Sequence, residues 1–160
     1  MAIVMLRIDD RLIHGQVVTM WTRRLSADTI VVASDAVAKD TFIAKVLRMA
    51  APAGMKVDVL TMEQTLSAFK DTKYDKAKVL LLVKSPEDAK SLLDGGLGVK
   101  TVNVGGMGAK AGASSLYKNI SASPAQVAIL QELTQRGIVI EFQILPDSER
   151  VTFDKLAIKK

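Results

Sequence analysis

The chain has 160 residues, 49% of them hydrophobic and 24% charged, and its 22 Lys and Arg outnumber 17 Asp and Glu for a formal net charge of +5. That length and apolar fraction suit a single domain spanning 1–160 and exclude disorder, and no apolar run reaches the roughly 18 residues of a membrane helix. The absence of cysteine excludes disulfides and thiolate chemistry, and a lone histidine excludes paired-imidazole zinc sites.

In chain order, the first expected strand is Ile3–Ile8, and its charges follow too soon for a secretory signal core. A helix over Gly15–Leu25 carries Val17, Val18, Trp21 and Leu25 at helical spacing, and Thr29–Ala33 is the second strand. An Ala-rich helix over Ala36–Ala50 is expected to bury Phe42, Ile43, Val46, Leu47 and Ala50 on one face. Lys56–Leu60 is a strand, and Thr61 with Gln64 three residues on reads as a capping box opening the next helix. Strand Val79–Val83 precedes Ser85-Pro86-Glu87-Asp88, a cap with proline in the first turn, and Thr101–Val104 is the fifth strand. Gly105–Ser121 has no evident element and reads as a long loop. Ser123-Pro124 opens a helix ending near Gly137, Ile138–Ile144 is a strand, and Arg150–Phe153 supplies a short edge strand.

The strands are continuous apolar runs separated by amphipathic helices. This predicts an α/β fold: an open, mostly parallel sheet of about six or seven strands, helices on both faces, and an antiparallel edge strand. Ligands of such sheets bind beyond the carboxyl ends of the strands. After the first strand stands Arg7-Ile8-Asp9-Asp10-Arg11-Leu12-Ile13-His14-Gly15-Gln16, with two arginines, two acids and the only imidazole within eight residues.

A helix start offers unpaired N–H groups and a positive dipole end, which suit phosphate. Imidazole is partly neutral, hence nucleophilic, near neutral pH, and arginine matches phosphoryl oxygens with a planar fork. A carboxylate can set the imidazole tautomer or hold the arginine. The same residues admit a plainer reading, a solvated loop in which Asp10 caps the helix, Asp9 ends the strand, Arg7 and Arg11 face water, and His14 packs passively. Asn103-Val104-Gly105-Gly106-Met107-Gly108 could flank a small site or be a flexible connector; it is neither a dinucleotide nor a P-loop motif. Asp35, after the second strand, reads as a helix cap or as a further acid near the first strand.

RIDDRLIHGQV followed by a tryptophan resembles the IIB components of the mannose–fructose–sorbose class of the bacterial phosphoenolpyruvate-dependent sugar phosphotransferase system. VVASDAVAKD, AAPAGMKVDVLTMEQ and NVGGM resemble later segments of that family, so the likeness covers essentially the whole chain. It implies a phosphotransferase in which His14 accepts a phosphoryl group on Nδ1 from a IIA phosphohistidine and passes it to a sugar held by membrane IIC and IID components. By motif position Arg11 is the functional arginine, serving mainly the onward transfer, and Asp9 positions the loop.

Backbone N–H groups of Leu12, Ile13, Gly15 and Gln16 are expected to receive the phosphoryl oxygens, with Asp10, Asp35, Gly105 and Gly106 flanking them. No metal or cofactor is expected, because donor and acceptor are both histidines. Nucleic acid is not an expected partner: aromatics are 4% and the basic residues are dispersed apart from Lys159-Lys160. The chain is expected in the cytoplasm, associating peripherally with the inner membrane face through the transport complex. Two rival readings stand beside this one: a small hydrolase or isomerase with His14 as general base, and a phosphate- or nucleotide-binding regulatory module. The sugar, the oligomeric state and whether the IIA is separate or fused stay open.

Overall fold

The structure is a computed structural model that describes residues 2–157; the Lys159-Lys160 pair lies outside the described residues. The elements run β1 (Ile3–Asp9), α1 (Gly15–Leu25), β2 (Thr29–Ala33), α2 (Asp35–Lys39), α3 (Thr41–Ala50), β3 (Lys56–Leu60), α4 (Met62–Lys70), β4 (Val79–Val83), α5 (Pro86–Asp94), β5 (Thr101–Gly106), β6 (Ser114–Tyr117), β7 (Ile120–Ala122), α6 (Pro124–Gln135), β8 (Val139–Phe142), β9 (Val151–Thr152) and α7 (Phe153–Ala157). Seven strands form one sheet in the order β3-β2-β4-β1-β5-β8-β9, parallel except for β9, which runs antiparallel to β8 at the edge. This is the expected mostly parallel sheet with its antiparallel edge.

Both faces are covered. Ile30, Val32, Leu80 and Leu82 pack against Leu12, Ile13, Val18 and Trp21 of the α1 segment and Val37 and Leu47 of α2 and α3. Leu6, Ile8, Val31, Leu81, Val102 and Val104 pack on the other face against α4, α5, α6 and α7 through Ala68, Leu92, Leu130 and Phe153. Every residue of β2 and β4 is buried, which is why both read as unbroken apolar runs. Among the described residues no helix is long and apolar enough to cross a membrane.

From β1 the chain crosses by way of α1 to β2 on one side of the sheet, whereas from β5 it crosses by way of α6 to β8 on the other. The carboxyl ends of β1 and β5, which pair directly, therefore flank a switch in strand order, where loops diverge and leave a crevice. The helix starts carry their caps: Thr61 and Gln64 form the capping box of α4, and Ser85 accepts from Asp88 N–H at the start of α5. Ser123 and Gln126 form a second box opening α6, and Gly137 has φ 86° just beyond its end.

Several expectations are corrected. The helix expected over Ala36–Ala50 is two helices, because the Asp40 carboxylate takes the Phe42 and Ile43 N–H groups and starts α3 afresh. Its expected buried face is also turned: only Leu47 of that set is buried, alongside Ala44, while Phe42 and Met49 are 72% and 76% exposed. α3 docks by its narrow Ala44–Leu47 side, leaving the wider apolar stripe outward. Strand β2 lies one strand away from β1, with β4 between them. The stretch Gly105–Ser121 is no plain loop: Gly105 and Gly106 finish β5, and β6 and β7 form an antiparallel hairpin. Strand β8 stops at Phe142, because the carbonyls of Gln143 and Ile144 turn to the Arg7 side chain.

Candidate functional site

Asp9 is the last residue of β1 and only 1% exposed, so its carboxylate must be paired to stay ionised. The turn that follows supplies the partners. Arg11 donates its backbone N–H and its Nε to Oδ1 at 3.1 and 3.0 Å, and its Nη2 to Oδ2 at 3.2 Å. His14 Nε2 lies 3.3 Å from the same Oδ2, and Arg7 Nη2 lies 3.8 Å from it. Burial alone would raise the Asp9 pKa, but the hydrogen bonds from Arg11 and the charges of Arg11 and Arg7 hold it below the ordinary carboxylate value.

An ionised carboxylate only accepts, so Nε2 of His14 is the protonated nitrogen facing it. In the neutral ring Nδ1 then carries the free lone pair. The ring stands at the N-cap of α1 (φ −148°, ψ 128°) and makes no cap hydrogen bond, and its side chain is 25% exposed. No acid occupies the first turn of α1, so the positive end of the helix and its unpaired N–H groups are not neutralised by the chain's own carboxylates. A nucleophilic nitrogen at an open helix start, beside an arginine, suits an anionic electrophile such as a phosphoryl group.

The backbone of this turn is tight. Leu12 has φ 57° and donates its N–H to Asp9 O at 2.9 Å, and Leu12 and Ile13 bury their side chains against the core. This corrects one expectation: the Leu12 N–H is spent inside the turn and is not available to phosphate. Gly15, with φ 46° and open space where a Cβ would be, and the exposed Gln16 lie in the first turn of α1. Their N–H groups are geometrically placed for an anion.

Asp10 is not the cap of α1. Its N–H donates to Gly106 O and its Oδ2 accepts from Gly108 N–H at 2.7 Å, which stitches the His14 loop to the end of β5. Asp35 belongs elsewhere: its Oδ1 accepts the Met62 N–H at 2.8 Å, so it caps α4 across the β2–β3 side of the sheet. Gly105 and Gly106 are brought to the site as strand residues. A Cβ on Gly106 would stand 2.6 Å from Asp9 Oδ1 and 3.1 Å from Arg11 Nη2. Beside Arg11 a cleft of about 210 Å³ opens between Asp10, Gly105–Gly108, Asn119 and Ile144.

The residue that sequence reasoning passed over is Arg7. It does not face water but is 2% exposed, donating Nη1 to Asn103 Oδ1 and to Gln143 O and Nη2 to Ile144 O, with its guanidinium 4.8 Å from the Trp21 ring centroid. The available signal was its position, between Leu6 and Ile8 inside an apolar strand, where a charge needs a dedicated partner.

The model of the family described as "PTS system sorbose subfamily IIB component" matches residues 3–160. The sorbose-specific EIIB component of Lacticaseibacillus casei is 36% identical over 145 residues, covering 91% of this chain and 88% of that one. The mannose-specific EIIAB component of Escherichia coli K12 is 37% identical over 141 residues, 88% of this chain and 44% of that one. The crystal structure of the IIBSor domain of the sorbose permease from Klebsiella pneumoniae superposes with a TM-score of 0.94 at 33% identity, covering 100% of this chain and 99% of that one.

Proposed function

We propose that this chain, which belongs to the sorbose subfamily of IIB components of the phosphotransferase system, is a phosphoryl carrier. In this reading it accepts phosphate on His14 from a IIA phosphohistidine and passes it to a sugar during uptake through membrane IIC and IID components. The observation that carries it is the ring geometry: Nε2 faces the Asp9 carboxylate at 3.3 Å, leaving Nδ1 unprotonated at the start of α1.

In the first transfer the Nδ1 lone pair forms a bond to phosphorus while the phosphorus–nitrogen bond of the donor histidine breaks, its electron pair returning to the donor ring. The N–H groups of Gly15 and Gln16 receive the transferring oxygens. Asp9 keeps the ring in one tautomer before and after the step. In the second transfer a sugar hydroxyl oxygen bonds to phosphorus as the Nδ1–phosphorus bond breaks, its electron pair returning to Nδ1 of His14 and the hydroxyl proton passing to solvent. Arg11 leaves Asp9 to spread charge from the leaving phosphoryl group, which its half-exposed side chain allows. In the first transfer donor and acceptor are both imidazoles, so that step requires no metal or nucleotide.

The whole chain, 1–160, acts here as one unit on the cytoplasmic side, held at the membrane by its transport partners. The name EIIAB of the E. coli relative places an A and a B component in one protein there, which supports a IIA-type donor here. The test is incubation with phosphoenolpyruvate, the general transfer proteins and a matching IIA. The expected product is an acid-labile, base-stable phosphate on the intact chain, absent in His14→Ala. No label with an active IIA refutes the carrier reading. Arg11→Gln should still accept phosphate but deliver it poorly to sugar; equal failure at both steps refutes that division of roles.

A further inference from the structure

Arg7 has no step in the proposed transfer, yet it heads the fully buried side chains by size. Strand alternation explains its direction. Leu6 and Ile8 enter the core beneath α4, α5 and α6, so Arg7 and Asp9 emerge together on the α1 face. There Arg7 is gripped from three elements: Asn103 of β5, the carbonyls of Gln143 and Ile144 after β8, and the Trp21 ring of α1. Trp21 Nε1 donates to the same Ile144 carbonyl at 3.2 Å, which closes the cage.

All of these partners are neutral. Among the described residues, the one anion facing Arg7 within ion-pair distance is Asp9, 3.8 Å away. Burial lowers the guanidinium to about 10, against the attraction of Asp9, so it is still charged at neutral pH. Arg11, in contrast, is half exposed and is anchored by Asp9. Once Arg11 turns toward phosphoryl oxygens, Asp9 loses two side-chain hydrogen bonds while still buried. Arg7 is the cation beside it that cannot leave.

We infer that Arg7 is a positioning residue: the fixed counter-charge that keeps Asp9 ionised and aimed at His14 Nε2 while Arg11 serves the phosphoryl group, with glycine at 105 required to seat it. The inference rests on the transfer reading above. The glycine follows from geometry. A Cβ at Gly105 would stand 1.7 Å from Nη2, 2.0 Å from Cζ and 2.6 Å from Nη1. A guanidinium pinned by three acceptors has nowhere to move, so β5 must end without a side chain where Arg7 lies across it.

The experiment follows the Asp9 carboxyl by ¹³C NMR against pH, alongside phosphate acceptance from IIA, in the wild type, Arg7→Met, Arg7→Lys and Gly105→Ala. Trp21, the only tryptophan, reports folding of each variant by its emission. In Arg7→Met the Asp9 midpoint should rise by about one pH unit or more, and acceptance should slow by about 10- to 100-fold. Arg7→Lys, which keeps a charge but not the fork, should reverse the larger part of the midpoint shift and recover less of the rate. Gly105→Ala retains every charge but displaces the guanidinium, and should move the midpoint the same way.

A merely structural arginine would leave the midpoint of a folded variant in place. An unchanged midpoint in a folded Arg7→Met or Gly105→Ala chain overturns the inference; should neither fold, Asn103→Ala, which frees one guanidinium N–H, is read by the same criterion. The carboxyl titration needs no phosphoryl donor. A wild-type chain that takes no label therefore strikes the transfer reading, whereas normal labelling with an unmoved midpoint strikes only the role of Arg7.

Discussion

Asp9→Asn changes one atom and tests the tautomer argument at its root. The Oδ1 position receives two Arg11 donors, the backbone N–H at 3.1 Å and Nε at 3.0 Å, so the asparagine oxygen must stay there. The amide NH₂ then occupies the Oδ2 position, facing Arg11 Nη2 at 3.2 Å, His14 Nε2 at 3.3 Å and Arg7 Nη2 at 3.8 Å. Two hydrogen-bond contacts become donor-against-donor contacts, and the ion pair with Arg7 is lost. His14 can answer by presenting its lone pair on Nε2, which moves the ring proton to Nδ1 and blocks the nitrogen proposed to attack.

The loss of charge-assisted hydrogen bonds, together with a buried Arg7 left without its anion, should cost about 2–4 kcal/mol of stability. Acceptance of phosphate should fall at least about a hundredfold, as expected when a catalytic imidazole is held in the wrong tautomer. Urea denaturation reads the first effect. For the second, acceptance kinetics are paired with ¹⁵N shifts of the imidazole, which are unambiguous because the chain has one histidine. A folded Asp9→Asn chain that keeps its proton on Nε2 and accepts phosphate within threefold of the wild-type rate would refute the reasoning.

The pH dependence of stability has a determined sign. Asp9 is held below its ordinary pKa in the folded chain, so its stabilisation is complete above about pH 4 and disappears as the pH falls through the lower folded value. Acid unfolding followed by Trp21 emission should therefore show a stability loss below pH 4 that is smaller in Asp9→Asn; an identical loss in both chains contradicts the assignment. On α3, Leu47→Ala should cost about 2–4 kcal/mol, whereas Met49→Ser should fall within about 0.5 kcal/mol of wild type, because Leu47 is 7% and Met49 76% exposed. Comparable losses at both positions would mean that the outward stripe is covered. Ser26 ends α1 with φ 53°, so Ser26→Gly should raise the melting temperature through about 0.5–1 kcal/mol; a fall would show that the serine side chain contributes more than its strained backbone costs.

Much of the architecture was legible because its signals are local. Unbroken apolar runs at Thr29–Ala33 and Val79–Val83 marked strands buried on both faces, and Thr61, Ser85 and Ser123 marked helix starts with side chains that bond within three residues. Signals failed where a local preference had a close competitor. Asp40 sits inside an Ala-rich helical pattern, and only its carboxylate reaching back to the Phe42 and Ile43 N–H groups shows that one helix ends and another begins. The apolar stripe of α3 was read inward because periodicity reports that a face exists, not which face meets the sheet.

For the site the same division holds more sharply. The contiguous residues from Arg7 to Gln16 carry the only imidazole, and the family resemblance of that stretch implied Arg11 and Asp9 beside His14; five positions of chain cannot separate them by more than a turn. Contacts between residues about 100 or more positions apart are not written in any short window. Only the packing of β1 beside β5, and of β5 beside β8, puts Arg7 against Asn103, Gln143 and Ile144 and sends Asp10 to Gly108 instead of to the helix. Which carboxylate holds the histidine and which arginine is buried were decided there. Burial is a property of what lies above a side chain, and for Arg7 that cover comes from three distant segments of the chain.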